Sequence, residues 1–277
     1  MLIDTHCHLN MIVKEKDDIL LTSHQINAAQ SYIDSALHNK VTTIINVGTN
    51  IIESLNSIAL AQRYASVYAT IGLHPTDCTD TWQSDFKELK KLMINKQTHK
   101  IVAIGECGID LYHQGYNLKR QQDAFKAQIE LALEHDVALV IHSRDAAHET
   151  LSILDEYKNN ITRATMHCFS YDQSIARDII AMGLMLGIDG PITYKKNDEL
   201  RAVATHIPLE HIVLETDAPF LPPQIIRGKQ NEPKYIATIA TFVAELRNTT
   251  LEDIASQTTA NARNLFNLDN FLNLECF

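Results

Sequence analysis

The chain has 277 residues, enough for one large domain or two small ones, and is 45% hydrophobic and 21% charged, an ordinary composition for a globular protein with a full core. Its formal net charge of −10 lacks the basic footprint usual in nucleic-acid binders, although acidic ligands neutralised by divalent ions would make the global sign weak evidence. Five cysteines at positions 7, 78, 107, 168 and 276 show no CxxC and no paired spacing, which predicts reduced thiols in the cytosol; no signal peptide fits ahead of Leu2, and no apolar run approaches the roughly 18 residues of a membrane span.

The first predicted strand carries Leu2-Ile3 and then His6 and His8. Residues two apart on a strand share a face, so both imidazoles aim at one point and Cys7 turns away. A helix follows from about Ile26 to Asn39, then a buried strand from Val41 to Gly48, and Asn50 caps a helix to about Tyr64. Val67 to Gly72 delivers Leu73-His74-Pro75. A helix near Asp85 to Asn95 leads to the strand Ile101 to Glu106, and a long helix, about Leu118 to His135, to the strand Val137 to His142. Ala146 to Tyr157 precedes Ala164 to His167, Gln173 to Met182 precedes Leu184 to Ile188, and Asp198 to Thr205 precedes His211 to Asp217. Two terminal helices, about Lys234 to Arg247 and Leu251 to Leu268, end the pattern.

Short apolar strands alternating with helices imply parallel strands joined by crossovers. Eight such units predict one (β/α)8 TIM barrel over residues 1–277. The competitor, an open doubly wound sheet, would be favoured by a Gly-rich phosphate loop, and the chain has neither GxGxxG nor a Walker motif.

His6, His8, His74, Glu106, His142, His167, Glu215 and Asp217 all fall at predicted strand ends. In a barrel those ends open at one face, where active sites are built. Buried carboxylates and imidazoles are costly unless paired or bound to metal, so a convergent set points to a metal site, although any one of them alone reads as a core residue.

The segments Leu2-Ile-Asp-Thr-His-Cys-His-Leu-Asn10, Gly72-Leu-His-Pro75, Gly105-Glu-Cys-Gly-Ile-Asp110, Ile141-His-Ser-Arg144, His167-Cys-Phe-Ser170, Leu214-Glu-Thr-Asp-Ala-Pro219 and Asn231-Glu-Pro233 occur in order along the chain. Together they resemble the TatD-like metal-dependent deoxyribonucleases of the amidohydrolase superfamily, over essentially the whole chain. The resemblance implies two divalent ions (Mg²⁺, Mn²⁺ or Zn²⁺). His6, His8, Glu106 and Asp217 would hold one, and Glu106, His142 and His167 the other, with Glu106 bridging. Asp217 would orient the attacking water or take its proton, with Glu106 as the second catalytic carboxylate. Glu215 would support that network or the substrate, and His74 and Arg144 would contact substrate phosphate. The expected substrate is DNA, at single-stranded ends, with no obligate protein partner.

Asp110, Tyr112 and His113 are expected to line the cleft, and Lys195, Lys196, Arg227 and Lys229 either lend its rim a positive field or form ordinary solvated loops. Departures from the family pattern are Tyr171 in place of glycine, Gln230 in place of arginine, and Ala138 where proline is usual. Cys7, Cys107 and Cys168 adjoin ligand candidates and are expected to point away from the metals. Three functions rank in order: a two-metal phosphodiesterase acting on DNA, an amidohydrolase-type reaction on another ester, amide or lactone, and a non-catalytic binding barrel.

Overall fold

A computed structural model describes residues 1–14 and 19–272. Cys276 lies outside the described residues. Strand β1 (Leu2–Cys7) is followed by the one-turn helix α1 (Leu9–Ile12) and by α2 (Ser23–His38). The alternation then runs β2 (Val41–Asn46), α3 (Ile51–Arg63), β3 (Val67–Ile71), α4 (Trp82–Met93), β4 (Ile101–Asp110), α5 (Leu118–His135), β5 (Ala138–Arg144), α6 (Ala147–Tyr157), β6 (Ala164–Met166), α7 (Gln173–Ala181), β7 (Met185–Ile188), α8 (Asp198–His206) and β8 (Ile212–Leu214). Helices α9 (Ile236–Arg247), α10 (Leu251–Phe266) and α11 (Asp269–Leu272) complete the described chain.

All eight strands are parallel and pair in sequence order, as a (β/α)8 barrel requires. The seam between β8 and β1 is made beyond the end of β8. The Asp217 N–H donates to the His6 carbonyl at 2.9 Å, the His8 N–H donates to the Ala218 carbonyl at 2.7 Å, and Cys7 and Ala218 form a parallel bridge. The same segment that supplies the expected carboxylate therefore also closes the barrel against the strand that supplies the first histidines.

Local chemistry explains the helix starts. Thr22 and Thr250 form capping boxes with Gln25 and Asp253, while the side chains of Asn50 and Asn117 accept from the backbone N–H groups of Glu53 and Arg120. Predicted and observed bounds coincide for α5 and agree within a residue at the start of α6. The main difference is at strand ends. β8 stops at Leu214 rather than Asp217, because after Glu215, whose N–H still donates to the Ile188 carbonyl of β7 at 3.1 Å, residues 216–218 turn to reach β1. β4, by contrast, runs on to Asp110, four residues past Glu106.

Early strand residues Ile3, Tyr68, Val102 and Val140 pack with Ala262, Leu265 and Phe266 of α10 and with Leu268. The barrel interior is thus filled with apolar side chains at the strand starts, leaving the polar residues concentrated at the strand ends. Two glycines make room for those polar residues. A Cβ on Gly108 would lie 1.9 Å from the His142 carbonyl oxygen, and one on Gly187 would lie 2.4 Å from a Glu215 carboxylate oxygen. Among the described residues, no helix is long and apolar enough to cross a membrane.

Candidate metal centre

The mouth of the barrel brings six of the expected side chains together. His6 lies on β1 and His8 just after it, as the residue that starts α1. Glu106 and His142 lie within β4 and β5, His167 directly follows β6, and Asp217 lies in the closing segment. All are buried except His142, which is partly exposed.

The donor atoms fall into two groups that share Glu106. In the first, His6 Nε2 lies 3.2 Å from His8 Nε2, 3.4 Å from Glu106 Oε2 and 3.5 Å from Asp217 Oδ1. His8 Nε2 lies 3.7 Å from Glu106 Oε2 and 3.3 Å from Asp217 Oδ1. A tetrahedral ion with metal–nitrogen bonds of about 2.0–2.1 Å spaces its ligands about 3.3 Å apart, so the donors already sit at the edges of such a shell. In the second group, His142 Nδ1 and His167 Nε2 each lie 2.7 Å from Glu106 Oε1 and 3.2 Å from one another. Each oxygen of Glu106 thus faces a different group of imidazoles, and the donor set fits divalent ions with nitrogen and oxygen ligands.

The remaining ring nitrogens show which lone pairs are available. His8 Nδ1 lies 3.3 Å from the Val47 carbonyl, which can only accept, so Nδ1 carries a proton and Nε2 is the nitrogen whose lone pair can bind a metal. His142 Nε2 lies 3.0 Å from Asp110 Oδ2, so its N–H donates there, while Nδ1 faces Glu106 Oε1 at 2.7 Å and offers its lone pair to a metal once the proton shared with Glu106 is displaced. A carboxylate that fixes the tautomer of a ligand histidine is a recurrent feature of metal sites. Asp110 is itself held by the backbone N–H groups of Tyr112 and His113 at 3.0 and 2.9 Å and by His113 Nδ1 at 2.9 Å.

Electrostatics separate the residues further. Burial and the neighbouring His167 push the His6 pKa down to about 4. Burial opposes charge on His142 as well, but hydrogen bonds to Asp110 and Glu106 outweigh it and raise its pKa to about 9. Burial also favours the neutral form of Glu106, yet His167, His74 and His142 hold its carboxyl well below the usual range. Asp217 is lowered against its burial by His8 and His6. Behind them burial has the upper hand, and it raises Asp4 and Asp189 to about 7 and Glu215 well above the usual carboxyl value. The negative charge of the mouth therefore rests on Glu106 and Asp217, with Asp110, lowered against its burial by His142 and His113, behind them.

The centre forms the floor of a cavity of about 850 Å³ lined by His74, Arg144, Tyr112, His113 and Phe220, among others. His74 Nδ1 accepts from the Thr76 N–H at 3.2 Å, which leaves the proton on Nε2, 3.4 Å from Glu106 Oε1. Arg144 is exposed at the rim, its guanidinium 4.0 Å from the Tyr112 ring centroid. Glu215 is fully buried and does not line the cavity; its Oε1 accepts from the Cys168 N–H and lies 3.8 Å from His167 Nδ1. That places it beneath His167, away from the space open to substrate.

Asp110 is also fully buried, behind His142 rather than on the cleft surface. Its even spacing from Glu106 along β4 was a usable signal for this role. Lys195, Lys196, Arg227 and Lys229 are exposed but are not among the cavity-lining residues, and Arg227 stacks 4.5 Å from the Tyr194 ring centroid. Cys7 and Cys107 are buried and do not line the cavity, whereas Cys168, after the end of β6 at Met166 and at a left-handed φ of 49°, does line it, with its Sγ 3.0 Å from Asp189 Oδ2. Tyr171, the departure from glycine, places its hydroxyl 2.9 Å from Ser143 Oγ and accepts from the Ala146 N–H at 3.1 Å, pinning the turn after β5. Phe220 had no signal in the sequence beyond its proximity to Asp217.

Comparison with known proteins establishes the family. A family model described as TatD related DNase matches residues 3–267. An uncharacterized metal-dependent hydrolase of Bacillus subtilis, YabD, is 36% identical over 97% of this chain and 100% of its own. A Citrobacter koseri protein named 3'-5' ssDNA/RNA exonuclease TatD is 32% identical over 94% of this chain and 95% of its own. Among solved structures, the TatD homologue YJJV of Escherichia coli superimposes with a TM-score of 0.86 at 28% identity, covering 96% of this chain and 98% of that one. With the family matched along nearly its whole length, the chain belongs to the TatD family of metal-dependent hydrolases.

Proposed function

We propose that the protein hydrolyses phosphodiester bonds of single-stranded nucleic acid, DNA above all, by removing nucleotides from an end. The observation that carries this reading is the division of Glu106, whose two oxygens face two separate groups of imidazoles on the floor of one cavity. His6, His8, Glu106 and Asp217 would hold one divalent ion, and Glu106, His142 and His167 a second. Bound there, the ions would supply a water of lowered pKa and a clamp on the phosphoryl oxygens.

The chain's own residues do the rest. Asp217, kept ionised by His8 and His6 and opening on the cavity, accepts the proton of the attacking water as general base. The water oxygen bonds to phosphorus as the phosphorus–oxygen bond to the leaving nucleotide breaks. His74 hydrogen-bonds a phosphate oxygen through its Nε2–H, and Arg144, pre-oriented on Tyr112, binds the next phosphate along the strand. Asp110 keeps His142 in the tautomer that offers Nδ1, and Glu215 supports His167 from below. The name of the Citrobacter relative supports the choice of single-stranded DNA or RNA and an end-directed reaction.

The test is hydrolysis of end-labelled single-stranded DNA by the purified protein with Mg²⁺, Mn²⁺ or Zn²⁺, beside an aminoacyl ester and a lactone. Stepwise shortening of the DNA, slowed as salt rises, is expected. Intact DNA with every ion, alongside brisk hydrolysis of the ester or lactone, would overturn the nuclease reading and leave a different hydrolase at the same centre.

A further inference from the structure

We propose that Phe220 is a base-stacking residue, with the unpaired base of the nucleotide at the reacting phosphate resting on its ring. The inference rests on the nuclease reading above and adds the feature that selects single strands. Phe220 is 50% exposed, and its ring centroid lies 5.9 Å from that of His8 with the planes at 71°. A nucleotide whose phosphate lies over the metal ligands carries its base only one ribose away, which is where this ring stands.

The ring is held out by a rigid backbone. The Phe220 N–H donates to the Asp217 carbonyl at 2.8 Å. The buried Asn231 donates from Nδ2 to the carbonyls of Phe220 and Thr216 at 2.7 and 2.8 Å, and its N–H donates to the Pro219 carbonyl at 3.1 Å. Leu221 follows at φ 46°, an uncommon conformation for a branched side chain. An apolar ring fixed half in water beside a catalytic floor is unused hydrophobic surface until something flat covers it.

The two walls of the cavity differ in what they can bind. On the side of β4 and β5, Tyr112 already carries the Arg144 guanidinium at 4.0 Å and lies 5.3 Å from the His113 ring centroid. That wall suits phosphates. On the other side Phe220 is accompanied by Leu221, Pro191 and Met11, an apolar surface suited to a base. Every base has a π-face, so such a platform accepts any sequence, but a base inside a duplex keeps its faces covered by its neighbours.

The experiment pairs removal of the ring with removal of the base. Wild type, Phe220→Ala and Phe220→Trp are assayed on single-stranded oligonucleotides whose end nucleotide is normal or abasic. For wild type, KM should be about tenfold higher on the abasic substrate, in the range measured for a single stacked base. That ratio should fall to near one in Phe220→Ala and return in Phe220→Trp. In a second arm, without added metal, an end-placed 2-aminopurine should lose fluorescence on binding wild type and keep it on binding Phe220→Ala. An equal base-to-abasic ratio in wild type and Phe220→Ala, or undiminished quenching in Phe220→Ala, overturns the proposal. Loss of bound metal in Phe220→Ala with the ratio unchanged also overturns it, because the ring would then serve only to support His8. If wild type cleaves no oligonucleotide, the nuclease reading fails separately, and the quenching arm alone decides whether Phe220 stacks on a base.

Discussion

Two buried polar clusters that both draw on the first residues of the chain, one on Asn10 and Lys14 and the other on His6 and His8, are built on opposite principles. In the one around Glu53, the carboxylate pairs with the Lys14 ammonium and accepts from Asn10 Nδ2 at 2.8 Å and Asn56 Nδ2 at 3.2 Å. The Lys14 and Glu53 side chains are only 1% and 2% exposed, so the chain supplies its own cation and encloses it. In the cluster around Glu106, every ion-pair partner of Glu106 and Asp217 among the described residues is a histidine, and imidazole nitrogens face one another at 3.2 Å. Burying carboxylates at both places is costly, and only the first is fully offset by a permanent charge from the chain. The second has the donor set to take a metal ion from outside, as a metal-dependent hydrolase requires, whereas the first is closed on itself and holds structure.

Breaking each cluster at its carboxylate should give opposite phenotypes. Glu106→Gln should lower hydrolysis by more than about 100-fold, because a metal centre supplies several kcal/mol to the transition state. Bound metal measured by elemental analysis should fall with it, while stability in chelator stays close to that of wild type. Equal turnover and equal metal content in the two proteins would erase the distinction drawn here.

Glu53→Gln should instead cost about 3 kcal/mol of folding stability by leaving Lys14 facing a neutral amide, with metal content retained. The pH dependence sharpens the point. Burial raises the Glu53 pKa, but hydrogen bonds from Lys14, Asn10 and Asn56 outweigh it, so the folded value lies below the unfolded one. Its contribution is therefore complete above the unfolded value of about 4.3 and is lost as pH falls through the lower folded value. Denaturation curves of wild type and Glu53→Gln should converge in that acidic range. A gap that widens as pH falls would contradict the assignment.

A smaller effect is expected one bond away from the metal ligands. Asp110→Asn should weaken metal affinity by roughly 10- to 100-fold, as removal of a carboxylate that orients a ligand histidine commonly does. Titration with Zn²⁺ against a competing chelator would measure it, and unchanged affinity would make Asp110 a loop anchor only. Smallest of all, Arg144→Ala should reduce the slope of log binding constant against log salt by about one unit and leave metal content alone. An unaltered slope would remove Arg144 from the phosphate path.

The alternation of apolar strands and helices was legible in the sequence because parallel barrel strands are buried on both faces and read as continuous β-branched runs, such as Val41–Asn46. The polar residues after those runs were legible for the same reason, since a histidine or carboxylate interrupting an apolar strand is conspicuous. Chain order alone therefore determined that His6, His8, His74, Glu106, His142, His167 and Asp217 share one end of a barrel. It did not determine which face of Glu106 meets which imidazole, because that depends on the relative stagger of β1, β4, β5 and β6. Nor did it separate Glu215 from Asp217: strand periodicity puts both on one face, but the chain leaves the ladder after Glu215, burying Glu215 under His167 and sending Asp217 across to β1. The place of Cys168 and Phe220 in the cavity wall was unseen because both lie where the backbone has left the regular strand, at a left-handed residue and in the loop pinned by Asn231. Sequence periodicity specifies side-chain direction only while the ladder lasts, and beyond it the directions come from long-range hydrogen bonds that only the folded chain brings together.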